Sequence, residues 1–139
     1  MEDLSLHLLD IVENAITASA TRIDISIVEE KDEDRLIMVI SDNGKGMDEE
    51  MKRNVLDPFF TTKPNRKAGL GLPFLAQAAE EAGGCLRIES EVGKGTTITA
   101  AFQLSHMDRK PLGNMSETLR VLRAAHPHIN FSFKHQVRG

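Results

Sequence analysis

The sequence predicts an α+β fold, a two-layer α/β sandwich whose mixed, mostly antiparallel sheet carries its helices on one face. Three observations point there. An amphipathic stretch opens the chain, two strand-like segments follow it directly, and two more strand segments flank a Gly-rich turn after an Ala-rich helix. Helices and strands grouped in this way, without strict βαβ alternation, favour helices layered on a sheet.

Residues 3–19 read as the first helix. Leu4, Leu8, Ile11 and Ala15 recur at helical spacing and form one apolar stripe. His7, Asp10, Asn14 and Thr17 form a polar stripe on another face, which an amphipathic helix ordinarily turns to water. Arg22–Glu29 alternates Ile23, Ile25 and Ile27 with polar residues, the pattern of a half-buried strand. Arg35–Ser41 is a nearly continuous apolar run suited to a central strand. A short helix is expected over Asp48–Asn54 with Asp48 as its N-cap.

The segment Leu56–Ala68 holds two prolines and reads as a loop. Leu70–Ala82 reads as a helix ended by Gly83 and Gly84. Cys85–Glu91 and Thr96–Leu104 form a hairpin across Val92-Gly93-Lys94-Gly95. A helix near Asn114–Ala125 and a strand near Ile129–His135 complete the chain. Residues 1–105 are thus taken as one domain, and 106–139 as a helix-strand extension packed on it.

Composition narrows the class. In 139 residues, 40% apolar and 27% charged content describes an ordinary globular chain. With no Trp or Tyr, aliphatic residues must fill most of the core. The single cysteine, Cys85, excludes an internal disulfide framework and suits a reducing compartment. No apolar run approaches the roughly 18 residues of a membrane span. The N-terminus also opens on acids where a secretory signal carries basic residues, so a cytoplasmic location is expected.

Charge is unevenly spread. Residues 105–139 hold six Lys/Arg against Asp108 and Glu117, while 1–104 hold 11 basic and 19 acidic residues. This is read as a basic tail packing on an acidic body. The overall net charge of −4 gives no nucleic-acid footprint.

Two glycine motifs carry candidate chemistry. Asp42-Asn43-Gly44-Lys45-Gly46-Met47 follows a buried strand, where glycines allow close approach to a ligand and an acid can accept from an exocyclic amine. Gly69-Leu70-Gly71-Leu72 precedes a helix, whose unpaired N–H groups suit phosphate oxygens. Read separately, each could also be an ordinary turn. No Walker A loop is present, and the Rossmann fingerprint lacks its preceding strand.

The order of the motifs is more specific. Glu13-Asn14-Ala15, Asp42–Met47, Asp57-Pro58-Phe59-Phe60-Thr61-Thr62-Lys63, Gly69–Leu72 and Gly93-Lys94-Gly95-Thr96 follow one another along the chain. Together they resemble the N, G1, F, G2 and G3 boxes of the GHKL ATPase superfamily, in its histidine-kinase-like form. The resemblance covers residues 4–104 and implies the Bergerat fold with ATP and Mg²⁺ as ligands.

By that resemblance Asn14 matches the asparagine that binds Mg²⁺, and Asp42 the acceptor of the adenine amino group. Gly44 and Gly46 match the glycines lining the adenine pocket, and Thr96 joins the adenine–water network. Gly69 and Gly71 belong to the lid hinge and phosphate-binding helix. Met47, Phe60, Thr62, Leu70 and Leu72 are expected to border the nucleotide. Lys63 is assigned to the terminal phosphates on charge and location.

Several features depart from the family pattern. Lys67 stands at the first glycine position of the G2 box, and the lid is reduced to Pro64–Ala68. The 13 residues before Asn14 have no room for the phosphoacceptor helices the family places there, nor for the strand that usually precedes the N box, so neither is expected within this sequence. The segment Ile129–His135 is expected to take that strand's place, with Ile129, Phe131 and Phe133 on one face. The competing reading makes the tail a partner-docking arm.

Asp10 lies four residues before Asn14, where MutL-type ATPases carry a general-base glutamate, and the first helix and strand resemble that branch as well. His7 is expected to be a solvated or capping residue rather than a phosphoacceptor. The resemblance therefore implies a kinase module that passes the γ-phosphoryl group to a histidine or serine on a partner protein. Free-standing anti-sigma-factor kinases offer the precedent. The alternatives are a non-catalytic ATP sensor and a slow ATPase using Asp10.

Overall fold

The computed structural model describes residues 3–55 and 71–139. The expected loop Leu56–Ala68, and with it Phe60, Thr62, Lys63, Gly69 and Leu70, lies outside the described residues.

Helix α1 (Leu4–Thr17) begins at Asp3, whose carboxylate accepts from the Leu6 backbone N–H at 3.2 Å. It ends where Ser19 takes a left-handed conformation (φ 68°), two residues earlier than the apolar pattern implied. Strands β1 (Arg22–Glu30) and β2 (Arg35–Asp42) form an antiparallel pair. Helix α2 (Glu49–Asn54) has the expected N-cap, the Asp48 side chain accepting from Met51 N–H at 2.8 Å. Helix α3 (Gly71–Glu81) leads through Gly83 and Gly84 into β3 (Cys85–Glu91), which pairs antiparallel with β4 (Gly95–Gln103). Helix α4 (Met115–Ala125) and β5 (Asn130–Arg138) close the chain.

The five strands stand in the order β3-β4-β2-β1-β5. Three pairings are antiparallel, and β5 lies parallel to β1, from Arg22 opposite Asn130 to Glu30 opposite Arg138. The sheet is therefore mixed and open, with α-helices packed on it, as the Bergerat fold requires.

Strand periodicity explains the layering, because alternate side chains share a face. Ile23, Ile25 and Ile27 of β1, Leu36, Met38 and Ile40 of β2, and Ile98, Ala100 and Phe102 of β4 are all buried. They form one cluster with Leu4, Leu8, Ile11 and Val12 of α1 and Leu72, Leu75, Ala78 and Ala79 of α3. Met115, Leu119 and Leu122 of α4, together with Ile129 and Phe131, belong to the same cluster.

Polar contacts also join the tail to the body. His135 Nε2 meets Glu29 at 2.7 Å, Arg138 meets Glu30 at 3.9 Å, and Ser132 donates to Asp24 at 2.6 Å. At the other end of the tail, Pro111 and Leu112 carbonyls accept from Leu4 and Ser5 N–H groups at the start of α1.

One expectation needs correction. His7 is only 6% exposed, not a solvated residue. The polar stripe of α1 therefore does not simply face water, and the chain's C-terminal part reaches that helix through α4 and the 111–112 segment.

Candidate functional site

A cavity of about 240 Å³ opens between α1, the loop after β2, α2 and the start of α3. Its described lining includes Asn14, Ala15 and Ala18 from the first helix and its cap, Asp42 from the end of β2, and Gly46 and Met47 from the loop after it. Leu72 and Thr96 complete it from α3 and β4. The structure thus gathers residues of four separate sequence motifs, more than 80 positions apart, around one space.

Asp42 sits at the end of β2, in a cross-strand row with Ile23, Thr96 and Ser90. Burial pushes its carboxyl above the ordinary carboxylate value, opposed by the backbone N–H groups of Gly44 and Thr96. Gly44 N–H donates to Asp42 Oδ1 at 2.8 Å. A half-buried carboxylate beside apolar walls offers a strong acceptor to an amine that enters the cavity.

The loop 43–47 is pinned on both sides. Toward α1, Asn43 Oδ1 accepts from the Thr21 and Arg22 N–H groups, both at 2.9 Å, and its Nδ2 donates to Thr21 Oγ1 at 3.0 Å. Lys45 N–H donates to the Ala18 carbonyl at 2.9 Å. Toward the hairpin, Met47 N–H donates to Ser90 Oγ at 2.8 Å, and Gly93 N–H donates to the Lys45 carbonyl at 2.7 Å.

Two glycines permit this closeness. Gly46 has φ +75°, and a Cβ there would lie 2.1 Å from the Glu91 carbonyl oxygen. Gly95 has φ +113°, and a Cβ there would lie 2.1 Å from the Asp42 carbonyl oxygen. The Asp42–Met47 and Gly93–Thr96 motifs are therefore two halves of one packed unit.

Asn14 projects from α1 at the cavity wall. Asp10 lies one turn earlier on the same helix, outside the described lining. Desolvation pushes its carboxyl up and Glu13 adds to this, while His7 opposes it. Among the described residues, no cluster of three His, Cys, Asp or Glu side chains could hold a metal by itself. Gly44 is buried within the loop, its Cβ position 2.8 Å from the Ala18 carbonyl oxygen. Gly71 opens α3 and Leu72 is buried against the core.

Sequence reading passed over several of these residues. Asn43 and Ser90 hold the pocket through cross-chain contacts that no local pattern announces. Ser90 was reachable once the hairpin register was known, because it stands directly opposite Thr96. Ile11, Met51, Asn54, Val55 and Ile98 also line the cavity, and each reads locally as core or helix surface.

Residues 2–106 match the family of histidine kinase-, DNA gyrase B-, and HSP90-like ATPases. The sensor histidine kinase ZraS of Salmonella typhimurium is 36% identical over 97 residues, 69% of this chain and 21% of that protein. Sporulation kinase C of Bacillus subtilis is 32% identical over 96 residues, 69% of this chain and 22% of that protein. The histidine protein kinase SaeS of Staphylococcus aureus is 31% identical over 102 residues, 68% of this chain and 29% of that protein. The chain thus spans less than a third of the length of each of these relatives.

Proposed function

This chain belongs to the family of histidine kinase-, DNA gyrase B-, and HSP90-like ATPases, and we propose that it transfers the γ-phosphoryl group of Mg-ATP to a separate partner protein. It is an ATP-binding, kinase-like domain related to signalling kinases. The observation that carries the reading further is the cavity that unites Asn14, Asp42, Gly46 and Thr96.

Within that cavity, the Asp42 carboxylate accepts from the adenine amino group and the loop held by Asn43 and Ser90 fixes its position. Gly46 lets the loop press close against the hairpin. The α1 wall brings Asn14 toward the phosphates, and the N-terminus of α3 offers backbone N–H donors to their oxygens. Gly69, Gly71 and Lys63 are proposed to act on the same phosphates, and Phe60, Thr62, Met47, Leu70 and Leu72 to border the nucleotide.

Asn14 also fits the metal, since a carboxamide oxygen with phosphate oxygens and water suits magnesium's preference for hard, partly hydrated coordination. Magnesium held there would offset the phosphate charge during transfer. The protein's own contribution is positioning: phosphoryl transfer depends mainly on geometry and electrostatics.

His7, the histidine closest in sequence to the Asn14 motif, is buried at 6% exposure, which disfavours it as the phosphoacceptor. A second reading, slow hydrolysis assisted by Asp10, draws on the raised affinity of that carboxyl for protons one turn from Asn14. A third is ATP sensing without chemistry.

Incubation with γ-labelled ATP and candidate partners separates the readings. Label on a partner supports the kinase, free phosphate supports hydrolysis, and neither supports a sensor. Asn14→Ala is expected to remove both transfer and hydrolysis. Asp10→Asn is expected to remove hydrolysis alone if Asp10 is the base.

A further inference from the structure

We infer that Ser90 sets the base specificity of the pocket by fixing the direction in which the Thr96 hydroxyl points its proton. The inference rests on the reading of this cavity as a nucleotide site.

Ser90 Oγ lies 2.8 Å from Met47 N, 2.9 Å from the Gly95 carbonyl oxygen and 2.7 Å from Thr96 Oγ1. A serine hydroxyl carries one proton and two acceptor sites. Met47 N–H can only donate, so it takes one acceptor site. The Gly95 carbonyl can only accept, so it takes the Ser90 proton. The second acceptor site of Ser90 then receives the proton of Thr96.

This is the one arrangement that satisfies all three contacts. It spends the Thr96 proton on Ser90, away from the cavity. Thr96 Oγ1 is left with lone pairs alone.

Thr96 stands between Ser90 and Asp42 in a single cross-strand row on the buried face. Both Thr96 and Asp42 line the cavity. The base end of the pocket therefore presents two acceptors side by side. An exocyclic amine, alone or through a water, satisfies them. A ring carbonyl at the same position brings acceptor against acceptor, and the ionised Asp42 has no proton to offer.

Ser90 is a positioning residue here, acting through Thr96. Without its hydroxyl, the Thr96 proton is free to turn into the cavity and greet a carbonyl. The 6-amino and 6-oxo purine triphosphates ATP and ITP differ at that position and at the neighbouring N1, which bears a proton only in ITP, so the change in their affinity ratio on removing the Ser90 hydroxyl reads the proton's direction.

Dissociation constants for ATP and ITP, measured by calorimetry on the whole chain, test this. Wild type is expected to favour ATP. Ser90→Ala is expected to lower the ATP:ITP preference roughly tenfold, the scale of one misdirected hydrogen bond in a closed site. Ser90→Thr, which keeps the hydroxyl, should restore it. In a Thr96→Val background, Ser90→Ala should leave the ratio unchanged, and Thr96→Val alone supplies the comparison should the Ser90 variant fold poorly.

Equal weakening of ATP and ITP by Ser90→Ala would make Ser90 a purely structural support and overturn the inference. So would a full effect of Ser90→Ala on the ratio when Thr96 is already valine. Failure of the wild type to bind either nucleotide is a different result: it removes the nucleotide-site reading itself.

Discussion

At the scale of single residues, Asp42 carries the tension between stability and binding. Its carboxyl is pushed above its ordinary value of 3.8 by burial, so ionising it costs more in the folded chain than in the unfolded one. The stability linked to Asp42 is fully present below the ordinary carboxylate value and is lost as pH rises through the raised one. At neutral pH the nucleotide-free protein therefore bears the cost of a buried charge. Asp42→Asn is expected to raise the melting temperature at neutral pH, with the gain shrinking in acid; thermal scans against pH on both proteins check this. ATP affinity in the wild type should fall as pH drops through the raised value, because a protonated Asp42 is a poorer acceptor. The Asp42 motif was legible in the sequence, since an acid at a strand end before paired glycines is a local pattern. Ser90 was not, because its role exists only in the register that sets it opposite Thr96.

Among elements, the proposed nucleotide site lies at the junction of α1, the loop after β2 and the β3–β4 hairpin. Asn43 ties that loop to the α1–β1 corner with three side-chain hydrogen bonds. Asn43→Ala is expected to cost about 1–3 kcal/mol of stability at the usual net worth of such bonds, and to weaken ATP binding by loosening Asp42 and Gly46. Denaturant titration and calorimetry would read the two effects separately. The helices and strands themselves were largely visible from periodicity. Their ends were less so: α1 stops at a left-handed Ser19, and β5 runs on to Arg138 through pairing with β1 that its polar tail does not advertise. His7 was misread for a related reason. The helical pattern identified a polar stripe but could not show which of its residues the rest of the chain covers.

For the molecule as a whole, the C-terminal helix and strand share the core with everything before them. Phe131 is 7% exposed, and Phe131→Ala is expected to destabilise the fold by about 3–5 kcal/mol in chemical denaturation. Removing residues 106–139 would strip Met115, Leu119, Leu122, Ile129 and Phe131 from one cluster. At about 1.5–3 kcal/mol for each buried apolar side chain, that loss matches the entire net stability of an ordinary domain. The truncated chain is expected to lose cooperative unfolding and ATP binding together. A truncated chain that still folds and binds ATP would instead favour the tail as a docking arm.

The cavity between Asn14, Asp42 and Thr96 is the proposed site of ATP binding. Calorimetric titration of Mg-ATP into the wild type and into Asp42→Asn, with circular dichroism to establish that both are folded, tests it most directly. The prediction is one ATP per wild-type chain and an affinity weakened roughly 10- to 100-fold in the variant, the loss of a charge-assisted hydrogen bond. Equal affinities in the two folded proteins, or no binding by the wild type, would contradict it.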